Sequence, residues 1–495
     1  MLPDGSGGAF VATRDTGAIQ VEHISGEGGR SATLRGPLSS QWDLVLDGTG
    51  GFYLAWRDES QPNGRVHLSR HSNLGQQIWT MPLFETQGGN ELLLGLAAGG
   101  SGDAYVGVFA NSVLRLTRIQ SDGQRPENWP SKGVLVDGGK FHARWLVEDG
   151  YGGIITGFST DGFGSDSVLA QRFDSTGSRL WSWQAASNRF HEFQTQPDRI
   201  GGTFVTWLTP EPAVHVTHLA IDGEAVAGWP DSGLKVSCGG RVAFPDMSSC
   251  SDGSDGIFVV WSQTINNNDL YALHLEGDGS VAQGWTRCGN LVSRAEGNQD
   301  EAVCVPDGIG GVFIAWQDWR YYRSIEPFAV RLAPDGTLVS GWSAGGMSIA
   351  SPVVAFELMA VPDGTGGALV AWSGSYSTID AGGIQRIRGD GVYGPRLTET
   401  GQSSIRMSTP WPNPFESQLE FVIDLPRAER LSVSIRDVMG RRVATLKHPD
   451  IQHAGPNVIR WRGEDQGGSP ASPGVYFIDV HSESGTRSKR VVKIR

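Results

Sequence analysis

One twelve-residue stretch, Val305-Pro306-Asp307-Gly308-Ile309-Gly310-Gly311-Val312-Phe313-Ile314-Ala315-Trp316, constrains this chain more than any other, because versions of it occur eight times in 495 residues. Its Asp and Gly supply the left-handed positions of a tight hairpin, and the Gly pair lets the chain bend into the next strand. From Val312 to Trp316 the residues are apolar in succession, which predicts a strand covered on both faces. Intact copies begin at Asp4, Asp47, Asp149 and Asp363, and degraded ones at Gly99, Asp198 and Asp252. The last turn residue falls at Gly8, Gly51, Asp103, Gly153, Gly202, Gly256, Gly311 and Gly367, so the spacing is 43 to 56 residues.

Each copy is followed by a second strand and a second short turn, as in Phe328 to Leu332 before Pro334-Asp335-Gly336, or Tyr271 to Leu275 before Gly277-Asp278-Gly279. A Gly-Trp element then leads to a short apolar strand, and a last strand such as Glu301 to Val305 enters the next turn. That makes four strands per repeat with no helical periodicity, the pattern of a β-propeller. Stacked sandwich domains would need about 80 to 100 residues per unit. The expected fold is all-β, an eight-bladed propeller over 1–404 with seven blades as the alternative, then a Pro-rich linker over 405–416 and a small Ig-like sandwich over 417–495. The first blade lacks an evident leading strand, which Ser404 to Met407 or residues upstream of Met1 would supply. Trp56, Trp207, Trp261, Trp316 and Trp372 share one repeat position, and packing between blades explains them better than a ligand platform.

Sixty-nine Gly and 39% hydrophobic residues fit many short strands and tight turns. A formal net charge of -13 disfavours nucleic acid and anionic membrane as partners. No apolar run is long enough for a transmembrane helix, and Met1 opens directly inside a repeat with no signal-peptide pattern, so the chain is expected to be cytoplasmic or to lack its true start. Cys238, Cys250, Cys288 and Cys304 lie in two adjacent repeats, and the expected disulfides are Cys238 with Cys250 and Cys288 with Cys304, each stapling neighbouring strands. Reduced thiols are the alternative. No Cys-x-x-Cys spacing supports a metal.

In a propeller the Asp-Gly turns share one face and the variable connections share the other, where function is expected. Candidate binding residues on that face are Trp42, Asp58, Asp161, His191, Glu192, Asp300, Glu301 and Tyr376, with the loop Asp318-Trp319-Arg320-Tyr321-Tyr322; His142 is a further candidate. Aromatics beside carboxylates and Arg suit a carbohydrate or peptide. The plainer alternative is that an Asp two residues past the Trp position, such as Asp58 or Asp318, caps its own loop. No His-Glu-x-x-His, Gly-x-Ser-x-Gly or phosphate-loop pattern occurs, and neither catalytic residues, a metal nor a cofactor is assigned. Carboxylates paired from different blades would be invisible in sequence.

Beyond residue 405 the repeat stops. Leu419 to Ile423, Leu431 to Ile435, Asn457 to Trp461 and Gly474 to Ile478 read as the strands of a small sandwich. Pro412-Asn413-Pro414-Phe415, the run Asp437 to Leu446, Gly455 with Asn457 and Trp461, Pro473-Gly474-Val475-Tyr476-Phe477 and the closing Lys489 to Lys493 resemble the type A sorting domain of the type IX secretion system, a signature shared with the Ig-like module of flagellar hook-capping proteins. The resemblance covers residues 408–495. It implies export through that secretion machinery and display on, or release from, a Gram-negative-type envelope. It also implies a cleavable N-terminal signal that this chain does not show. The repeats, including Ala315-Trp316-Gln317-Asp318-x-Arg320, are similar to propeller repeats found in front of such domains. The function expected is a monomeric, secreted or surface-displayed, non-catalytic propeller that binds a glycan, peptide or protein. An extracellular polysaccharide hydrolase or lyase and a structural adhesion protein are the alternatives.

Overall fold

The computed structural model describes residues 1–15, 18–26, 29–60, 64–84, 90–111, 113–136, 140–161, 167–185, 192–209, 213–320, 325–350, 355–373, 383–389, 393–398, 405–407, 410, 412–425, 429–452 and 455–494. Among these residues the chain forms strands and no α-helix. Eight four-stranded antiparallel sheets follow one another, over 2–38, 42–82, 91–136, 140–184, 192–235, 241–293, 299–348 and 356–398, each with its strands in chain order. The first strand of each sheet packs beside the first strand of the next, and that of sheet one, Leu2–Pro3, touches those of both sheet two and sheet eight. The sheets are therefore arranged around an axis lined by first strands, in a propeller-like ring.

The leading strand expected to be missing from sheet one is present, because Leu2 and Pro3 pair with Phe10 and Ala9. Arg406–Met407 does not complete that sheet; it pairs with Asp424 and Ile423 of the C-terminal module. The reason is apolar burial: Ile405, Met407 and Phe415 sit in the core of that module with Leu419, Phe421 and Trp461. The segment 405–416 is thus not only a linker, since it supplies a strand and three core side chains.

The seams between sheets explain why the turns repeat. In the turn at Asp307, Oδ1 accepts the N–H groups of Ile309 and Gly311 at 2.9 and 2.8 Å, which fixes the bend. Asp307 Oδ2 accepts from Arg331 Nη2 at 2.8 Å, and Arg331 Nη1 donates to the Gly389 carbonyl of the next sheet at 2.5 Å. The same relay runs from Asp47 through Arg70 to the Ser121 carbonyl, from Asp149 through Arg172 to Ile221, and from Asp198 through His218 to Gly277. A Trp indole donates to the same carbonyl in each of these three seams, Trp79 to Ser121, Trp181 to Ile221 and Trp229 to Gly277. In the degraded turn at Gly99 the acid has moved to the last position, and Asp103 still meets Arg118, which donates to the Ser175 carbonyl.

At the ends of the ring, Arg386 pairs with Asp363 and its guanidinium lies where a Cβ on Gly7 would stand, 2.5 Å away. Gly7 N–H donates to the Asp363 carbonyl at 3.0 Å, so sheet one is fastened to sheet eight at this turn by a backbone hydrogen bond. Burial pushes the Asp198 carboxyl up, but His218 and the N–H groups of Ile200 and Gly202 outweigh it and hold the group below the usual range.

Apolar side chains fill the space between sheets. Trp207, Trp261 and Trp316 are buried, and each ring occupies the space a Cβ would take on a left-handed glycine of its own sheet, Gly233, Gly289 and Gly346. Those glycines serve close approach as well as positive φ. Phe204, Phe258 and Phe313 are buried in one apolar cluster that runs from the fifth sheet to the eighth, and burying each such ring contributes about 1.5–3 kcal/mol.

The C-terminal module packs a three-stranded sheet, Arg406–Met407, Leu419–Leu425 and Gly455–Trp461, on a four-stranded one, Glu429–Asp437, Arg442–Gln452, Gly474–Ser482 and Gly485–Lys493. Trp461 stands at the centre, 5.2 Å from the Phe415 ring and 5.1 Å from Tyr476, with its indole N–H donated to the Glu464 carbonyl.

Candidate functional site

First strands present an unpaired edge to the axis, and side chains of the preceding sheet cap it. Gln41 and Asp43 accept the N–H groups of Leu93 and Leu96. Gln194 accepts Ser249 N–H at 2.9 Å and donates to the Met247 carbonyl at 3.2 Å. Asp246 accepts Glu301 N–H at 2.6 Å, and Ser248 accepts Cys304 N–H at 3.3 Å. Buried backbone donors require partners, so these side chains have a structural task first.

Asp246 also opens the candidate site, because it brings acids of three neighbouring first strands together near the variable-loop end. It lies in an irregular stretch between Val242 and Met247, while Asp300 and Glu301 flank a bulge between Asp300 and Val303. Bulges re-aim side chains, and Glu301 takes a left-handed φ of 49° to do so. Asp246 and Asp300 hydrogen-bond through their carboxyl groups, which requires a proton on one of them. Burial pushes Asp246 up to about 7, with the charges of Asp300 and Glu301 adding to it and the Glu301 N–H opposing. Burial and then the Asp246 charge push Glu192 up to about 7 as well, and burial raises Asp300. Glu192 Oε2 has no hydrogen-bond partner among the described residues. Asn268 Nδ2 holds Asp300 Oδ1 at 2.7 Å, and Gln317 donates to the exposed Glu301.

Beside this group the chain turns at Asp318-Trp319-Arg320. Asp318 is fully buried; Trp316 Nε1 and Arg320 Nη2 donate to its Oδ2 at 2.8 and 2.7 Å, and the Arg320 backbone N–H to Oδ1 at 2.9 Å. Arg320 also lies 3.9 Å above the Phe328 ring and donates to the Gly345 carbonyl. Trp319 is 43% exposed, and its backbone N–H is anchored on the Asn298 carbonyl. An exposed indole is thereby presented from a rigid base next to Asp300, Glu301, Asn268 and Asn298.

Of the residues singled out from sequence, Glu192, Asp300, Glu301, Trp319 and Arg320 converge on this region. Asp318 forms the foundation of its loop. Asp58 bonds Ser60 within its own loop, and Trp42 is half-buried opposite Trp56 in the second sheet, packed on the cluster between sheets one and two. Asp161 ends the strand Ile154–Asp161 and His142 lies in Lys140–Glu148, with their side chains outside the described part. His191, Tyr321, Tyr322 and Tyr376 lie outside the described residues. Asp246 was missed, and its one signal is the place six residues before a repeat turn, where Glu301 also stands.

The expected disulfides are corrected. Cys238 bonds Cys288, with Cα atoms 5.1 Å apart, while Cys250 and Cys304 are buried thiols. The eleven-residue strand Arg241–Ser251 separates Cys238 from Cys250, and at about 3.3 Å per residue it holds them far beyond bonding distance.

A cavity of about 540 Å³ lies at the Asp-Gly-turn end of the axis, walled by Val45, Leu96, Leu146 and Val147. Glu148 and Arg199 are its charged neighbours, and Glu148 is engaged with the N–H groups of Gly150 and Gly152. No group of three or more His, Cys, Asp or Glu suited to a metal occurs among the described residues. No described helix is long and apolar enough to cross a membrane.

Residues 415–486 match the family described as the FlgD Ig-like domain, so the C-terminal module is Ig-like. None of the curated proteins compared matches the chain. Among solved structures the chain is similar to prolyl oligopeptidase B from Galerina marginata, at 8% identity and TM-score 0.44, over 78% of this chain and 56% of that one. It is similar to polysaccharide lyase Uly1, at 8% identity and TM-score 0.41, over 71% and 90%. It is also similar to PorZ, a surface component of the type IX secretion system of Porphyromonas gingivalis, at 12% identity and TM-score 0.20, over 96% and 74%. These likenesses are remote and say nothing of activity.

Proposed function

We propose that this chain is a secreted or surface-displayed, eight-bladed β-propeller that binds a hydroxyl-rich ligand, a glycan, on its variable-loop face, and that its Ig-like module serves as a type IX sorting domain. The observation that carries the binding reading is Trp319, an exposed indole on a rigid base beside carboxylates and amides. A sugar ring stacks its C–H face on such an indole while the polar neighbours take its hydroxyls. Asp246 and Asp300 are in direct hydrogen-bond contact, closer than the 5–5.5 or 6.5–9.5 Å, roughly, of the carboxyl pairs that carry glycosidic chemistry, so this pair does not serve as an acid and its partner. The sorting reading rests on the motifs between Pro412 and Lys493 together with the Ig-like match.

A glycan array probed with the purified chain is expected to give a defined set of binders. Trp319→Ala is expected to weaken the best of them by about tenfold or more, in line with about 1.4 kcal/mol per tenfold. An array without binders, or a Trp319→Ala protein that binds as well as the parent, would remove the glycan reading and leave a structural role in the envelope.

A further inference from the structure

We propose that Cys250 and Cys304 form a second disulfide, one that ties the sixth sheet to the seventh as the chain folds. The two residues stand 54 positions apart on the first strands Arg241–Ser251 and Gln299–Pro306, which lie side by side at the axis. Alternation along a strand fixes where each thiol faces. Ser248 faces the seventh sheet, since its Oγ accepts Cys304 N–H at 3.3 Å and lies 3.7 Å from Cys304 Sγ. Cys250, two residues on, shares that face, and Cys304 turns back to meet it. The Cys250 thiol is within hydrogen-bonding reach of the Cys304 thiol. At 7% and 6% exposure both sit in the same apolar core, with no metal-binding group of His, Cys, Asp or Glu found among the described residues.

Burial keeps the Cys250 thiol protonated, so the pair is inert once the seam has closed. The bond must form earlier, by exchange with an oxidised dithiol carrier or a small disulfide of the export compartment. The thiolate of one Cys attacks the carrier disulfide, giving a mixed disulfide and releasing one carrier thiolate. The second Cys thiolate then attacks the protein-bound sulfur, closing Cys250–Cys304 and releasing the other carrier thiolate. The two protons given up by the protein thiols end on the two carrier thiols, so the protein is oxidised by two electrons and the carrier reduced by two. Cys238–Cys288 would arise in the same compartment, but it ties down only the connection that enters the sixth sheet.

The full chain should be produced in an oxidising periplasm, unfolded without reductant and alkylated. The expected result is no alkylated cysteine and a non-reduced proteolytic peptide pair joining Cys250 to Cys304. Alkylation of both Cys250 and Cys304, or a peptide joining either to Cys238 or Cys288, overturns the proposal. Cys250→Ala, made in parallel and checked for unchanged circular dichroism, is expected to gain one alkylated residue, Cys304. If Cys304 stays unreactive in that variant, its partner is not Cys250 and the proposal fails.

Discussion

Arg172→Ala is expected to lower the unfolding free energy by about 3–5 kcal/mol, read from the denaturant midpoint at constant slope. The guanidinium bridges Asp149, whose side chain is 1% exposed, and the Ile221 carbonyl of the next sheet. Its removal strands a desolvated carboxylate and leaves the Trp181 indole donating to that carbonyl alone among the described residues. The matched control is Arg294→Ala, which breaks an ion pair with Asp269 of the same geometry but with the arginine side chain 56% exposed. Solvent already screens that pair, so its loss is expected to shift the denaturant midpoint far less. Equal effects for the two variants would show that the buried relay does not hold the seams.

Asp246→Asn is expected to reduce the pH dependence of stability that the parent shows between about pH 5 and 8. In the folded chain Asp246 titrates near 7, against an ordinary value of 3.8. Between those values the folded state keeps a proton that the unfolded chain has released. The contribution is therefore full below the lower value and lost as pH rises through the upper one. At about 1.4 kcal/mol per pKa unit, and allowing for coupling to Glu192 and Asp300, the parent should lose on the order of 2–4 kcal/mol across this range. The asparagine keeps an acceptor for Glu301 N–H and offers an amide donor to Asp300, so it should lose less stability than the parent between pH 5 and 8, with the buried Glu192 carrying the slope that remains. The lowered turn acids Asp4, Asp47, Asp198, Asp252 and Asp363 act elsewhere: their stabilisation is present above about 3.8 and lost as pH falls below it. Chemical denaturation at both pH values checks this, and a slope as steep in the variant as in the parent would refute it.

The turns, the four-strand repeat and the packing role of the shared Trp position were legible because each is local. Asp and Gly at fixed offsets specify a bend whatever surrounds it. The relay across the seams was also written in the chain, as an arginine or histidine near the end of every third strand, at His23, Arg70, Arg118, Arg172, His218, His274, Arg331 and Arg386. It went unread because its meaning depends on a carbonyl in the following sheet. The cysteine pairing failed for the related reason that residues close in sequence were separated by a full strand. The acids at the axis were half legible. Glu192, Asp300 and Glu301 stood out by type, but Asp246 joins them only through a break in register that no local pattern announces.

The relay has a direction. Arg70, Arg118, Arg172, His218 and Arg331, with the indoles of Trp79, Trp129, Trp181, Trp229 and Trp285, reach forward into the sheet the ribosome delivers next, so each of these units waits for its successor before these side chains find their carbonyl partners across the seam. Sheet eight alone looks to a sheet completed long before, at Gly7. Vectorial synthesis or export, amino end first, would thus finish each joint in turn and complete the circle only when the last unit arrives.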